Sequence, residues 1–277
     1  RKGKEAVELT DLEESIERTA KFGYQGIDIW ADSPHLDPLS RDKAYRKEIK
    51  KQCQDRGLEI VALSVNGGAL ARRYNFSYCK DWVRKETVDY YKKCVDLAAD
   101  IGCPAINMIS GHMMAGTNFE QAWQWNREGM SEVAKHAEKC RVTLALHTLA
   151  PSESRVIVTL DDSLKMMKEI NSKSCRLMID TADQNITDPH LSDSVRKVAK
   201  HLVYVHISDN SGSGEGLVHN VPGKGTINWR MFIRVLKEVG YNGYLTAQLN
   251  CGVPIDPDAW VWETYEYMSR IIQESKA

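Results

Sequence analysis

The sequence contains no run of about 20 apolar residues, so it offers no membrane-spanning helix. It also has almost no net charge: 37 lysines and arginines face 38 aspartates and glutamates, leaving −1 at neutral pH. That balance excludes the basic footprint of a nucleic-acid binder and gives no pull toward an anionic membrane surface. The partner to expect is a small molecule. Closely spaced cysteine pairs are missing as well. Cys53, Cys79, Cys94, Cys103, Cys140, Cys175 and Cys251 are scattered through stretches that read mostly as helix or strand, which excludes a disulfide framework and fits a reducing cytoplasm. The charged opening Arg1-Lys2-Gly3-Lys4-Glu5 leads into no apolar signal region, so a cytoplasmic protein is expected. The chain opens on Arg1 rather than Met, and a strand close to that end is expected to be incomplete. No GxGxxG turn is present to make a dinucleotide-binding sheet. Without repeats, low-complexity tracts or linkers, one domain over residues 1–277 is expected.

What is present is an alternation. Short apolar, β-branched runs at 26–30, 58–65, 105–109, 143–147, 176–180, 203–207 and 244–249 are separated by amphipathic stretches at 11–22, 41–55, 80–101, 119–140, 163–170, 192–199 and 229–239, with a last helix at 257–275. Alternating strands and helices of this kind build parallel sheets from βα units. Gly57, Gly102 and Gly240 stand where left-handed helix caps are needed, each a few residues before the next strand. A further candidate strand at 6–9 makes eight, and a (β/α)8 TIM barrel is the expected fold.

In such a barrel the residue ending each strand points into the mouth at the C-terminal face. Four consecutive runs deliver a metal-capable group there: His147, Asp180, His206 and Gln248. Two imidazoles, a carboxylate and an amide oxygen suit an open divalent site, with Mn expected and Mg, Co, Fe or Zn compatible. A polar mouth without metal is the plainer alternative. His112 lies on the Gly-bounded segment after the run at 105–109, where it either folds over the mouth or stays an exposed loop histidine. Trp30 ends the run at 26–30 and is placed in the mouth as a stacking surface, with His35 beside it, whereas Trp123, Trp125, Trp260 and Trp262 are better explained by packing. The Gly-rich segment 209–216 lacks the ending of a phosphate-binding loop and is expected to be a flexible lid. Lys224, in the turn after it, binds a sugar hydroxyl or an enolate, or has no part in the site.

Several segments together resemble the xylose-isomerase-like sugar isomerase/epimerase family: Asp180-Thr181-Ala182-Asp183, Val205-His206-Ile207-Ser208-Asp209, Pro222-Gly223-Lys224-Gly225-Thr226-Ile227-Asn228-Trp229 and Gly240-Tyr241-Asn242-Gly243-Tyr244. Upstream, Phe22-Gly23-Tyr24-Gln25-Gly26-Ile27-Asp28-Ile29 looks like that family's first helix and second strand. The resemblance covers nearly the whole chain. It implies a metal held through Glu, Asp, His and Glu, the two glutamates serving as opposed acid and base. Here those two positions are His147 and Gln248. The family's substrate-binding His is replaced by Asp183 and its Arg by Gly212, while its substrate-side Glu is retained as Glu153.

An amide has no useful basicity, so the departure at Gln248 argues against ordinary two-base epimerisation. Exchanging carboxylates for neutral donors makes the site more positive and a stronger Lewis acid. His147, with an ordinary pKa of about 6.5, is a candidate base, with Glu153 as its catalytic companion. One base with one electrophile suits proton abstraction beside a keto group followed by loss of a β-substituent. On these grounds the chain resembles, within the family, the large subunits of bacterial C-glycoside deglycosidases, which implies lyase-type cleavage of a 3-oxo-C-glycoside with help from a small second subunit. Asp183, Trp30, His112 and Lys224 are the expected substrate contacts. The alternatives are a sugar isomerase or ketose epimerase with altered ligands, and a non-catalytic sugar-binding or assembly subunit. An apurinic-site endonuclease shares the barrel but needs more His and Glu ligands and a basic surface.

Overall fold

The computed structural model describes residues 11–65, 73–188, 190–213, 218–250 and 257–275. Among them the chain alternates as the apolar runs require: α1 (Leu12–Lys21), β1 (Gly26–Trp30), α2 (Lys43–Asp55), β2 (Glu59–Ser64), α3 (Asp81–Ile101), β3 (Ala105–Ile109), α4 (Phe119–Cys140), β4 (Thr143–His147), α5 (Leu160–Ile170), β5 (Cys175–Asp180), α6 (Thr181–Thr187), α7 (Leu191–Val198), β6 (Leu202–Ile207), α8 (Trp229–Glu238), β7 (Leu245–Ala247) and α9 (Pro257–Glu274). The strands pair in parallel, in chain order from β1 to β7. At the open seam, Gly26 of β1 lies so near Tyr244, just before β7, that a Cβ there would come within 3.1 Å of its ring. The sheet therefore curls into a nearly closed barrel, as the (β/α)8 TIM expectation requires. The candidate strand at 6–9 lies outside the described residues.

Strand periodicity divides the core in two. Ile27 and Ile29 of β1 join the large apolar layer between sheet and helices, while Val61, Ala62, Ala145, Met178 and Tyr204 pack inside the barrel. Asp28 and Trp30 take the opposite parity to Ile27 and Ile29. Gly57, Gly102 and Gly240 all adopt positive φ, as their cap positions demand.

Most element ends fall within one or two residues of expectation, and three features of the boundaries bear on the site. Helix α5 starts at Leu160 because Thr159 and Asp162 form a reciprocal capping box, which recruits an extra turn. Strand β7 stops at Ala247, although the Gln248 N–H still donates to the Ile207 carbonyl at 3.2 Å. Helix α6 follows β5 without a loop, because the Asp180 carboxylate caps it from inside the last strand position.

The segment after β6 is also anchored where a lid was expected. Asp209 is fully buried, and its carboxylate accepts N–H groups from Asn210 (3.0 Å), Gly223 (2.9 Å), Ile227 (3.2 Å) and the Trp229 indole (2.8 Å). Asn210 is clamped to the Ala182 carbonyl and by Asn185. Gly225 lies so close that a Cβ would stand 2.2 Å from both the Asn210 carbonyl and the Asp209 carboxylate, so only glycine fits. Of the expected lid, residues 214–216 lie outside the described residues. Because one carboxylate satisfies four donors, Asp209→Ala is expected to cost about 3–5 kcal/mol, read as a lower urea midpoint at constant slope. A shift below about 1 kcal/mol would show that water replaces the carboxylate easily.

Candidate functional site

The barrel mouth is built from strand ends. His147 closes β4, Asp180 closes β5, His206 is the penultimate residue of β6 and Gln248 follows β7. Asp180 is fully buried, and His147 and His206 nearly so. The His206 Nδ1 lies 3.6 Å and the His147 Nε2 3.9 Å from the Asp180 Oδ2. The two imidazoles stand perpendicular, with centroids 5.9 Å apart.

Asp180 divides its oxygens between folding and chemistry. Its Oδ1 accepts the Ala182 N–H at 2.9 Å and caps α6, whereas Oδ2 accepts nothing. The same holds around the ring: His147 Nδ1, His206 Nδ1 and Gln248 Oε1 are also buried without a hydrogen-bond partner. Buried polar atoms are normally paired. Four buried lone-pair groups without partners at four successive strand ends, drawn from imidazole, carboxylate and amide oxygen, make a donor set that suits a divalent cation, with His147 facing Asp180 through Nε2.

Asp183 enters this cluster more closely than a substrate contact would. Its Oδ2 is 3.2 Å from the His147 Nε2, and its Oδ1 accepts the Ala150 N–H at 3.0 Å. His147, Asp180 and Asp183 offer ligand atoms that all lie within 4.8 Å of one another. Helix α6 brings Asp183 there, because a residue three positions past the capped strand end turns back over the mouth.

Two further residues support the ring without having been singled out from sequence. Asp28, inside β1, accepts on Oδ2 from Ser64 Oγ (2.9 Å), Tyr204 OH (2.6 Å) and His206 Nε2 (3.0 Å). It thereby holds His206 so that Nδ1 faces Asp180. Its parity with Trp30 was the available signal, since both must point into the barrel. His219 is buried, shares a 2.8 Å hydrogen bond with Ser208 Oγ and puts Nδ1 3.7 Å from Asp180 Oδ1. Nothing in its local sequence announces this.

The remaining expected residues separate into two groups. The His112 Nδ1–H donates to the Glu153 carbonyl at 2.8 Å, so these two residues meet beside a small cavity also lined by Tyr74, Ser110 and Leu149. Trp30 ends β1 with its indole N–H buried and unpartnered, its ring edge-on to His35 at 6.1 Å. Lys224 goes elsewhere: it is exposed and ion-paired with Glu263 of α9 at 2.7 Å, because the turn that carries it is pinned by Asp209.

Over residues 16–270 the chain matches the model of the xylose isomerase-like TIM barrel family. This chain belongs to that family. Fructoselysine 3-epimerase of Shigella flexneri is 24% identical over 265 residues, covering 96% of this chain and 95% of the relative. D-psicose 3-epimerase of Ruminiclostridium cellulolyticum is 26% identical over 262 residues, covering 91% and 83% respectively. The crystal structure of D-psicose 3-epimerase with D-tagatose from Clostridium cellulolyticum H10 superposes with a TM-score of 0.80 at 21% identity, over 95% of this chain and 94% of that one. Family relatives named as sugar epimerases support an enzyme, and they favour the isomerase or epimerase alternative over the lyase expectation.

Burial and neighbouring charge set the protonation of the mouth. Burial pushes His147 down to about 4, so it is neutral with its lone pair available. Burial would also depress His206, but Asp180 and Asp28 outweigh it and raise it to about 9. Burial pushes Asp180 upward, and the imidazoles of His219, His206 and His147 overcome that and hold it well below the carboxylate range. Burial raises Glu153 to about 8, with Asp183 adding repulsion, and raises Asp183 to about 7, with Asp180 adding repulsion.

These shifts give the metal-free protein a definite pH response. His206 contributes stability that is complete below its ordinary 6.5 and is lost as pH rises through about 9. Glu153 and Asp183 bind more protons folded than unfolded up to about 8 and 7, so they act in the same direction. His147 opposes them only on the acid side, between 6.5 and about 4. Chelated protein should therefore lose melting temperature between pH 6.5 and 9 in calorimetry, and added divalent cation should flatten the loss. A flat or rising profile without metal would contradict this protonation pattern.

Proposed function

We propose that this chain is a divalent-metal-dependent enzyme of the sugar isomerase/epimerase class that removes the proton next to a sugar's keto group. The observation carrying this reading is the ring of four orphaned buried donors, His147, Asp180, His206 and Gln248, with two near-neutral carboxyls beside it. An ion held by those donors supplies a Lewis acid for the carbonyl oxygen, manganese being the expected metal. Glu153 and Asp183 are poised to take and return a proton near pH 7, where general acid–base work is most efficient. Trp30 offers an apolar face for the sugar ring, and its indole N–H a donor for a hydroxyl. The epimerase relatives support a ketose or ketosamine as substrate.

A specific asymmetry favours a second reading, elimination from a 3-oxo-glycoside with a small second subunit present. Both near-neutral carboxyls belong to the segments following β4 and β5, while the described residues that follow β7 present the amide of Gln248 and no carboxyl. Epimerisation needs proton delivery to the opposite face, whereas elimination needs one base and a leaving group.

Elemental analysis comes first: His206→Ala should hold one metal equivalent less than the wild type. Equal metal content in both would remove the metal-centre reading. Manganese-loaded protein in D2O should then incorporate deuterium beside the carbonyl of D-psicose or fructoselysine and accumulate the 3-epimer. Release of aglycone from a 3-oxo-C-glucoside without epimer formation would select elimination, and no exchange with any keto sugar would leave a binding subunit. Gln248→Glu restores a carboxylate on the β7 side, and the ratio of epimer to eliminated product is expected to rise by about tenfold or more, measured by NMR on the same substrate.

A further inference from the structure

Outside the barrel, the two longest helices, α3 and α4, pack side by side and face each other with a ladder of opposite charges. Lys92 pairs with Glu132, and one turn further Asp96 Oδ1 meets His136 Nε2 at 2.7 Å. The next position on α4 breaks the charge pattern with Cys140, whose Sγ lies 3.8 Å from Asp96 Oδ1 and 3.7 Å from His136 Nε2. His136 and Cys140 are four residues apart on one helix face, and Asp96 meets them from the other helix.

We infer that Asp96, His136 and Cys140 form a second metal site, separate from the barrel mouth, that takes a zinc-class transition ion. Bond lengths of about 2.0 Å to nitrogen or oxygen and about 2.3 Å to sulfur, at tetrahedral angles, place ligand atoms about 3.3–3.6 Å apart. Both contacts of Cys140 already lie close to that spacing, and the His136–Asp96 contact has only to open slightly. Carboxylate, imidazole and thiol are together the donor set of a borderline-soft ion, whereas the described groups of the barrel mouth include no sulfur and suit a harder one. His136 and Cys140 are half-buried and Asp96 is exposed, so an ion reaches the site from solvent and keeps water in its fourth position. Burial and the neighbouring Asp96 keep the Cys140 thiol raised, so on binding the thiol proton leaves to solvent and the thiolate takes the metal. Joined across α3 and α4, the ion would act as a cross-link between helices and stabilise the folded chain by mass action.

The thiol gives the test a signature that His147, Asp180, His206 and Gln248 cannot produce. Metal-free, reduced protein is titrated with cobalt(II) chloride alone at neutral pH. A near-ultraviolet thiolate-to-cobalt band should grow to saturation and be bleached by zinc, and in His206→Ala, where the barrel mouth no longer competes, it should saturate at a single equivalent. It should vanish in Cys140→Ser and in His136→Ala, and persist in His206→Ala and in Cys79→Ser, which removes another exposed thiol. Equilibrium dialysis should show one zinc fewer in Cys140→Ser than in the wild type. No band at millimolar cobalt, or a band that survives Cys140→Ser, overturns the proposal and leaves an ordinary His136–Asp96 pair with a thiol beside it. Either result is independent of what the barrel mouth binds.

Discussion

The interaction on which the site depends is the split use of the Asp180 carboxylate. One oxygen caps helix α6 and the other is left bare between the imidazoles of His147 and His206. The capping bond folds the chain back at once after β5, and that reversal delivers Asp183 to His147. A buried carboxylate without cationic neighbours would protonate rather than stay charged. Here His206, raised to about 9, stands 3.6 Å away and the Ala182 N–H hydrogen-bonds the other oxygen, so the charge survives complete burial. The imidazoles are held in turn: His206 by Asp28, His219 by Ser208, and His147 by Asp183.

Around that charge the mouth is electrically lopsided. Its near-neutral carboxyls stand on the β4 and β5 side, and the β7 side carries an amide. A TIM barrel of the xylose isomerase-like family aims its strand ends at this face irrespective of which residues occupy them, which is why the proposed chemistry is assigned there. What the residues alter is the balance between Lewis acidity and proton shuttling. Neutral ligands strengthen the first, and losing a base on one side restricts the second. Epimerisation and elimination share their opening proton transfer, so a modest change of side chains within one fold can redirect the outcome.

The turn motifs divide differently. The stretch from Pro222 to Trp229 was expected to bring Lys224 to the site. It serves the fold instead, through the four donors that Asp209 accepts and through Gly225, which leaves no room for a Cβ. A short sequence motif does not distinguish a loop that touches substrate from one that locks a loop in place, because both need glycine and a fixed carboxylate. Similarly, Asp96, His136 and Cys140 are spread over 45 residues of two helices, and no spacing rule joins them.

By itself the sequence determined the order of strands and helices, the barrel, and the four strand-end donors. Each follows from local periodicity, since side-chain direction in a strand is set by counting residues to its end. The tertiary structure alone decided which of those donors have bare lone pairs, that Asp28 and His219 belong to the site, and that Lys224 does not. Those outcomes depend on contacts between residues far apart in the chain, such as Asp28 with His206, and on burial, which shifts a carboxyl or an imidazole by several pKa units only after the barrel has closed around it.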